Sequence, residues 1–145
     1  MPGLWQGGTH DSDTVGGFGF GEYQPTKKDF DTVITLYGHA NPAGRNVKEL
    51  RLSIIDGDMT DFEATELVAL VNVAHRDWVA GKRVLIRCQA GWNRSGLIMA
   101  LTLIKAGAQP QEAINLIRKK RVPEALSNRY FERFILNQTP SKWAA

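Results

Sequence analysis

The region around residue 88 constrains the fold more than any other part of the chain. Val84–Arg87 is a short apolar run that predicts a buried strand. A loop containing Gly91 follows, and Ser95–Ala106 then has the composition of an apolar helix that ends at Gly107. A strand, a glycine-containing loop and a buried helix in direct succession are typical of domains that mix strands and helices.

Other segments continue this alternation of strands and helices. Further strands are predicted at Leu4–Gln6, Thr32–Leu36 and Leu50–Ile55. Further helices are predicted at Thr60–Ala80, from Pro110 to about Lys120, and from about Glu124 to Leu136. We therefore predict an α/β sandwich, with a central mixed sheet of about four or five strands flanked by helices. The loop after residue 88 would connect a strand to the N-terminus of a helix.

The length of 145 residues fits one domain spanning 1–145. Within it, we predict a glycine-rich, mostly loop segment at 1–31 that contains the short first strand, and a loose tail at 139–145. The apolar fraction of 43% and the charged fraction of 23% are typical of globular proteins. No apolar run is long enough to span a membrane and no secretory signal is evident, so we expect a cytoplasmic protein without membrane contact.

The cysteine count and the charge exclude several classes of site. Cys88 is the single cysteine, which excludes an internal disulfide, a Cys-x-x-Cys redox pair and a cysteine zinc cluster. The three histidines have no metal-ligand spacing, so we expect neither a metal nor a cofactor. The net charge of +3 suits an anionic ligand without requiring nucleic acid. The basic run at 118–121 is interpreted as a solvated helix end.

The residues after the strand at 84–87 have the properties of an anion-binding loop. A loop between a strand and a helix N-terminus can direct successive backbone N–H groups inward, and Gly91 permits the required backbone conformation. Arg94 can bind two phosphate oxygens with its planar guanidinium. The same positive field favours the thiolate of Cys88, which is a nucleophile for phosphorus. The hydroxyl of Ser95 would stabilise the sulfur as a leaving group. The alternative is a buried structural cysteine with an arginine six positions later by chance.

The segment Cys88-Gln89-Ala90-Gly91-Trp92-Asn93-Arg94-Ser95 resembles the signature loop Cys-x5-Arg-Ser/Thr of the cysteine-based protein tyrosine phosphatases. The small size and the helical C-terminal half resemble the dual-specificity branch of that superfamily. The resemblance implies that Cys88 is the nucleophile and that the loop binds phosphate. The phosphate-binding residues would be Gln89, Ala90, Gly91, Trp92, Asn93 and Arg94. Trp92 either stacks on an aryl group of the substrate or is a packing residue.

The reaction also needs a general acid, because an alkoxide or phenoxide leaves phosphate slowly unless its oxygen is protonated. The candidates between the predicted strand at 50–55 and the following helix are Asp56, Asp58 and Asp61. Asp56 is favoured because its spacing from the cysteine, and the glycine after it, match small members of the family. Asp58 is a candidate helix cap, and Asp61 lies in the first turn of the predicted helix, where the dipole explains an acidic side chain.

The chain departs from the family pattern immediately before the nucleophile, where Arg87 replaces the usual histidine. Arginine can supply positive charge there, but with a different geometry. The resemblance also implies that Asn128 hydrogen-bonds near the signature loop; a helix-surface asparagine is the alternative.

The preferred interpretation is a monomeric phosphatase whose partner is a phosphorylated protein or peptide. It would hydrolyse phosphotyrosine, and phosphoserine and phosphothreonine if the pocket is shallow, through a phosphocysteine intermediate. A second interpretation is an RNA 5′-triphosphatase or 5′-phosphatase, because residues 91–96 are similar to the loop of such enzymes; nucleic acid is a partner only under this interpretation. A third is a non-catalytic module that binds phosphorylated residues.

Overall fold

A four-stranded sheet lies at the centre of the molecule. The computed structural model describes residues 2–9, 24–59 and 64–144. The strands are β1 (Leu4–Gly7), β2 (Thr32–Thr35), β3 (Lys48–Arg51) and β4 (Val84–Arg87). Their order in the sheet is β1-β4-β2-β3, and all three pairings are parallel. The α/β class is confirmed, but the described sheet is parallel and not mixed as predicted.

The parallel arrangement follows from the connections between the strands. Antiparallel neighbours can be joined by a two-residue turn, whereas parallel neighbours need a long crossover. Residues 36–47 connect β2 to β3, and the connection from β3 to β4 contains the 16-residue helix α1 (Ala64–Val79). Connections of this length return the chain to the same edge of the sheet before each strand begins.

The helices pack around one buried helix. After α1 come α2 (Arg94–Lys105), α3 (Pro110–Lys120), α4 (Arg129–Leu136) and α5 (Pro140–Trp143). Every residue from Ser95 to Ile104 of α2 is buried, and the other four helices all contact α2. Burial of a leucine or isoleucine side chain stabilises a fold by about 1.5–3 kcal/mol, so α2 is a main source of core stability.

Several predicted boundaries differ from the structure. The third strand was predicted at Leu50–Ile55 but pairs with β2 over Lys48–Arg51. The last long helix was predicted from about Glu124 but begins at Arg129, because Leu126 has a φ of 61° and Asn128 caps the helix. The predicted loose tail contains α5, whose Trp143 is buried. The predicted first turn of α1, residues 60–63, lies outside the described residues.

The parallel sheet brings four loops to one edge. Because all the strands run in one direction, the loops that follow them leave from the same, carboxyl edge. In open α/β sheets this edge is where ligands bind. The loops after β3 and β4 carry Asp56 and Cys88, so the candidate acid and the candidate nucleophile are located at the same edge. Among the helices of the described part, none is long and apolar enough to cross a membrane.

Candidate active site

Cys88 lies directly after β4, at the base of the loop that leads into α2. Its side chain is buried, and its Sγ lies 3.2 Å from the backbone N of Gly91 and 3.3 Å from Oγ of Ser95. Since α2 begins at Arg94, the N-terminal end of a buried 12-residue helix lies directly after the loop. Backbone N–H groups and the helix dipole therefore both favour negative charge at this position.

The carbonyl groups at the start of the loop are bonded to the segment that follows β1. Thr9 Oγ1 donates to the carbonyl of Cys88 at 3.0 Å, and the Thr9 N–H donates to the carbonyl of Gln89 at 2.7 Å. Because the C=O and N–H of a trans peptide unit point in opposite directions, a carbonyl bonded on the outside directs the next N–H inward. The N–H groups of Gln89 and Ala90 thus face the interior of the loop.

Arg121 and Gln6 hold the middle of the loop in the same way. The Gly91 carbonyl accepts hydrogen bonds from Gln6 Nε2 at 2.8 Å and from Arg121 Nε at 3.2 Å. Arg121 also donates to the Ala90 carbonyl at 3.3 Å. The basic run at 118–121 was interpreted as a solvated helix end, but in the structure Arg121 supports this loop. Its guanidinium therefore orients backbone groups rather than only interacting with water.

Gly91 cannot be replaced by another residue without a change in the loop. Its φ is +78°, a region that side chains disfavour. A Cβ at this position would lie 2.6 Å from a guanidinium nitrogen of Arg121 and 2.7 Å from the carbonyl carbon of Gly7. The second of these neighbours is backbone and cannot move as a side chain does, so both conformation and space require glycine.

The guanidinium of Arg94 uses only part of its hydrogen-bonding capacity. One terminal nitrogen donates to the Ile54 carbonyl at 3.1 Å, and the guanidinium carbon lies 5.6 Å from the centre of the Tyr37 ring. In the described part of the chain, Arg94 Nε is buried and makes no hydrogen bond. An unsatisfied buried donor costs about 1–3 kcal/mol, so an anionic oxygen that accepted from it would be strongly favoured.

Asp56 lies at the rim of the loop, where two asparagine side chains fix its carboxylate. Asn93 Nδ2 donates to one carboxylate oxygen at 2.9 Å, and Asn128 Nδ2 donates to the other at 2.7 Å. Asn128 also donates from its backbone to Asn93 Oδ1 at 3.0 Å. The structure thus brings Asp56 to the loop that follows Cys88. Asp58 is exposed on the same segment, and Asp61 lies outside the described residues.

Asn128 combines this contact with a structural role. Its side-chain oxygen accepts hydrogen bonds from the backbone of Tyr130 at 2.9 Å and Phe131 at 3.2 Å, which caps α4. Its side-chain amide also donates to the Gly57 carbonyl at 2.8 Å. Of the two interpretations from the sequence, the contact with the signature loop is the one observed.

Arg87 is buried and bonds to the neighbouring strands. Its Nε donates to Thr35 Oγ1 at 3.0 Å, and a terminal nitrogen donates to Glu49 Oε2 at 3.1 Å and to the Asn41 carbonyl. Arg51 adds a second cation to Glu49 and donates to the Ala40 carbonyl at 2.7 Å. Arg87 therefore links the segment after β2 to the sheet through hydrogen bonds, a role that the sequence did not indicate.

The carboxyl of Glu49 is ionised within this group of charges. Burial raises its pKa, but the hydrogen bonds from Thr35 Oγ1 and the Ala43 N–H and the charges of Arg51 and Arg87 outweigh burial. The net result is a pKa below the usual value for a glutamate. The negative charge of Glu49 compensates the buried guanidinium of Arg87, which would otherwise be costly.

The sequence did not point to the residues that support the loop from outside. Gln6 and Thr9 donate hydrogen bonds to backbone carbonyls that lie 85 and 79 residues later in the chain. Every residue has a backbone carbonyl, so the sequence does not show which one accepts such a bond. Arg121 belongs to a basic run, but the run alone did not distinguish it from its neighbours. Trp92, for which two interpretations were open, is 38% exposed. Within 2–9, 24–59 and 64–144, no group of three histidine, cysteine or acidic residues could hold a metal ion.

Comparison with known proteins gives one curated relative, and no family model matches the chain. The relative is named "Putative tyrosine phosphatase 123R" and comes from Invertebrate iridescent virus 6. It is 28% identical to this chain over 93 residues, which is 63% of this chain and 63% of the viral protein. The matched region thus spans less than two thirds of the length of that relative.

Solved phosphatase structures resemble the whole architecture. The active form of Tk-PTP has a TM-score of 0.64 and 27% identity, with 79% of this chain and 81% of that chain covered. Human DUSP28 has a TM-score of 0.71 over 94% of this chain and 92% of its own, with 18% identity. The chain therefore has the fold of the dual-specificity and tyrosine phosphatases, which confirms the resemblance carried by residues 88–95.

Proposed function

We propose that this protein is a cysteine-dependent phosphatase that hydrolyses phosphotyrosine, and also phosphoserine and phosphothreonine, in proteins. The observation that carries the proposal is the position of the Cys88 sulfur, which lies 3.2 Å from the backbone N of Gly91 at the base of the loop. The same loop contains the buried, unsatisfied Nε of Arg94. The phosphatase fold and the viral relative support the same reaction class.

The reaction proceeds in two displacements at phosphorus. The Cys88 thiolate attacks phosphorus opposite the ester oxygen, so an S–P bond forms as the P–O bond to the substrate breaks. Asp56 transfers its proton to the departing oxygen. Arg94 and the backbone N–H groups of residues 89–94 bind the equatorial oxygens, where negative charge is held in the transition state.

A water molecule then hydrolyses the phosphocysteine. Asp56, now ionised, removes a proton from the water as it attacks phosphorus, and inorganic phosphate leaves. The S–P bond breaks and the sulfur departs as thiolate. Ser95 Oγ, 3.3 Å from the sulfur, stabilises that charge by donating its proton in a hydrogen bond. The enzyme returns to its starting state without a further reactant.

RNA 5′-end hydrolysis is the second candidate, because Gly91-Trp92-Asn93-Arg94-Ser95-Gly96 is similar to the loop of RNA 5′-triphosphatases. The net charge of +3 gives it little further support. A non-catalytic binding module is less favoured, since such modules usually lack the cysteine, the arginine or the acid. We further propose that the protein acts as a monomer in the cytoplasm, where reducing conditions keep a catalytic thiol active.

The test is phosphate release by the purified protein in the presence of a chelator. A phosphotyrosine peptide, a phosphothreonine peptide and a 5′-triphosphorylated RNA are compared, with Cys88→Ser as the control. Release from the peptides that depends on Cys88 is expected, with phosphotyrosine as the better substrate. Release from RNA alone would assign the second function, and binding without release would favour the non-catalytic module.

A further inference from the structure

Three segments that carry large exposed apolar side chains are joined by hydrogen bonds at the candidate acid. The carboxylate of Asp56 is bonded to Asn93 and Asn128, and each of these three residues has a large exposed neighbour one or two positions away. We call these neighbours the apolar rim: Ile55 (63% exposed), Trp92 (38%) and Tyr130 (57%). They come from three different segments, the loop after β3, the loop after β4 and the first turn of α4. The fold therefore assembles the rim from separate parts of the chain.

The rim contains three of the seven large apolar residues that are exposed in the described part of the chain. Single exposed apolar residues are common on proteins, but a group of them marks a binding surface. The hydrogen bonds of 2.7–2.9 Å that join Asp56 to the two asparagines hold the three segments together, so the rim residues share one region of the surface. That region is continuous with the phosphate loop, because Asn93 is part of the loop.

In an extended peptide, the residue next to a phosphoresidue stays close to the phosphate loop. One residue spans about 3.3–3.6 Å, so a residue directly beside a bound phosphoresidue lies above the edge of the loop. An apolar side chain there would cover surface of the rim that is now exposed to water. Burial of such a side chain is worth about 1.5–3 kcal/mol when complete, which is enough to select between substrates.

We propose that the apolar rim binds a large apolar side chain next to the phosphoresidue, and so selects phosphopeptides that have one. This inference rests on the proposed function, since it specifies the substrate of the same site. The residue types beside the rim favour a peptide over RNA: Asp56 and Asp58, which follow Ile55 on an exposed segment, are acidic, whereas proteins bind a phosphodiester backbone with Lys and Arg.

The first experiment compares two phosphotyrosine peptides that differ only beside the phosphoresidue, with leucine in one and serine in the other. The wild-type enzyme is expected to show kcat/KM about 10-fold higher for the leucine peptide, since partial burial of one such side chain is worth about 1.4 kcal/mol. Ile55→Ser and Tyr130→Ser should each reduce this ratio severalfold, and Ile55→Leu should retain it. Val79→Ser is the matched control, because Val79 is 68% exposed on α1 and should leave the ratio at the wild-type value.

Binding to the Cys88→Ser protein separates this inference from the catalytic proposal. The leucine peptide should bind about 10-fold more tightly than the serine peptide in a direct titration, for the same reason as above. Equal dissociation constants would overturn the role of the rim even if the wild-type enzyme hydrolyses both peptides. A binding preference without turnover by the wild-type protein would instead support the rim and contradict the phosphatase. Tighter binding of 5′-triphosphorylated RNA than of either peptide would overturn the inference.

Discussion

At the scale of single residues, the position of Asp56 makes its proposed role as general acid testable. Asp56→Asn should lower kcat for a phosphothreonine peptide by about 10²–10⁴-fold, the usual contribution of a positioned acid. The reduction should be smaller for p-nitrophenyl phosphate, because p-nitrophenolate leaves without a proton. Steady-state kinetics with both substrates measure the difference.

The control for this prediction is Asp58→Asn, which changes a carboxylate on the same exposed segment. It should leave the ratio of the two kcat values at the wild-type level. A phosphothreonine turnover that survives in Asp56→Asn but is lost in Asp58→Asn would transfer the acid role to Asp58. A loss in both variants for both substrates would point to a structural effect on the segment.

Gly91 permits a second prediction at this scale, with Gly81 as its matched control. Both have positive φ, +78° and +84°, but a Cβ on Gly81 meets nothing within 4 Å whereas one on Gly91 overlaps Arg121 and Gly7. Gly81→Ala should therefore lower the free energy of unfolding by only about 1–2 kcal/mol, the cost of a positive φ for alanine, and should retain activity. Gly91→Ala should lose at least about 10-fold in kcat/KM, because displaced N–H groups no longer fit the transition state.

Urea unfolding and kinetics on the two glycine variants check this pair. Full activity in Gly91→Ala would show that the loop adapts without loss of geometry. A loss of activity in Gly81→Ala would show that backbone strain far from the loop affects the site, which the structure gives no reason to expect.

The residues at the centre of the site were accessible from the sequence, and those that support it were not. The order of Cys88, Gly91, Arg94 and Ser95 along one loop is local, so the residue types and their spacing were sufficient to predict an anion-binding loop. The contacts from Gln6, Thr9 and Arg121 depend on the folded sheet and on carbonyl acceptors, which all residues have. Local chemistry is visible in a sequence, whereas long-range support by backbone groups is not.

At the scale of secondary-structure elements, hydrogen bonds from Arg87 link β4 to β2, to β3 and to the segment after β2. Arg87→Lys keeps the charge but loses the planar group that reaches Thr35, Glu49 and Asn41. We expect it to lower the free energy of unfolding by about 1–3 kcal/mol, the cost of leaving buried partners unsatisfied. Denaturant unfolding followed by fluorescence measures this change.

Arg45→Lys provides the comparison, since Arg45 is exposed. Exposed substitutions usually change stability by less than about 0.5 kcal/mol, and the same is expected here. If Arg87→Lys were as neutral as Arg45→Lys, the charge alone, without the geometry of the guanidinium, would account for the role of Arg87.

Two elements were predicted with their correct bounds, and the third strand was predicted at a shifted position. Val84–Arg87 is a buried central strand and Pro110–Lys120 begins at a proline, so local pattern and tertiary environment agree. The strand predicted at Leu50–Ile55 is shifted because pairing with β2, and not apolarity, sets its bounds. The apolar residues that follow it continue towards Asp56 outside the sheet. The position at which an apolar pattern ends in the sequence therefore does not show where the backbone hydrogen bonds of the strand end.

At the scale of the whole molecule, three acidic residues predict how stability depends on pH. The hydrogen bonds from the Arg83 side chain and backbone hold the pKa of Asp31 well below its usual range. Burial raises the pKa of Asp77, but hydrogen bonds from Thr32, Lys48 and Arg76 lower it overall. The pKa of Glu49 is also lowered, as described above.

A depressed pKa in the folded state means that the unfolded chain binds protons first as the pH falls. The stabilisation from these groups is complete above the unfolded values of about 4 and is lost as the pH falls through the lower, folded values. The urea concentration at the unfolding midpoint should therefore be similar at pH 7 and pH 5, and lower at pH 3. Asp31→Asn should show a smaller loss between pH 5 and pH 3, and an equal loss would exclude Asp31 as a contributor.

The parallel sheet has a consequence for handling the protein. Since the loops that carry Cys88 and Asp56 leave the carboxyl edge, the turn that precedes β4 lies at the opposite edge, and its residues Gly81 and Lys82 are exposed. A tag inserted at this turn, or a bead coupled there, would leave the candidate phosphate-binding loop facing the solution. The molecule thus provides an attachment point for immobilised assays and affinity capture on the side where no substrate has to approach.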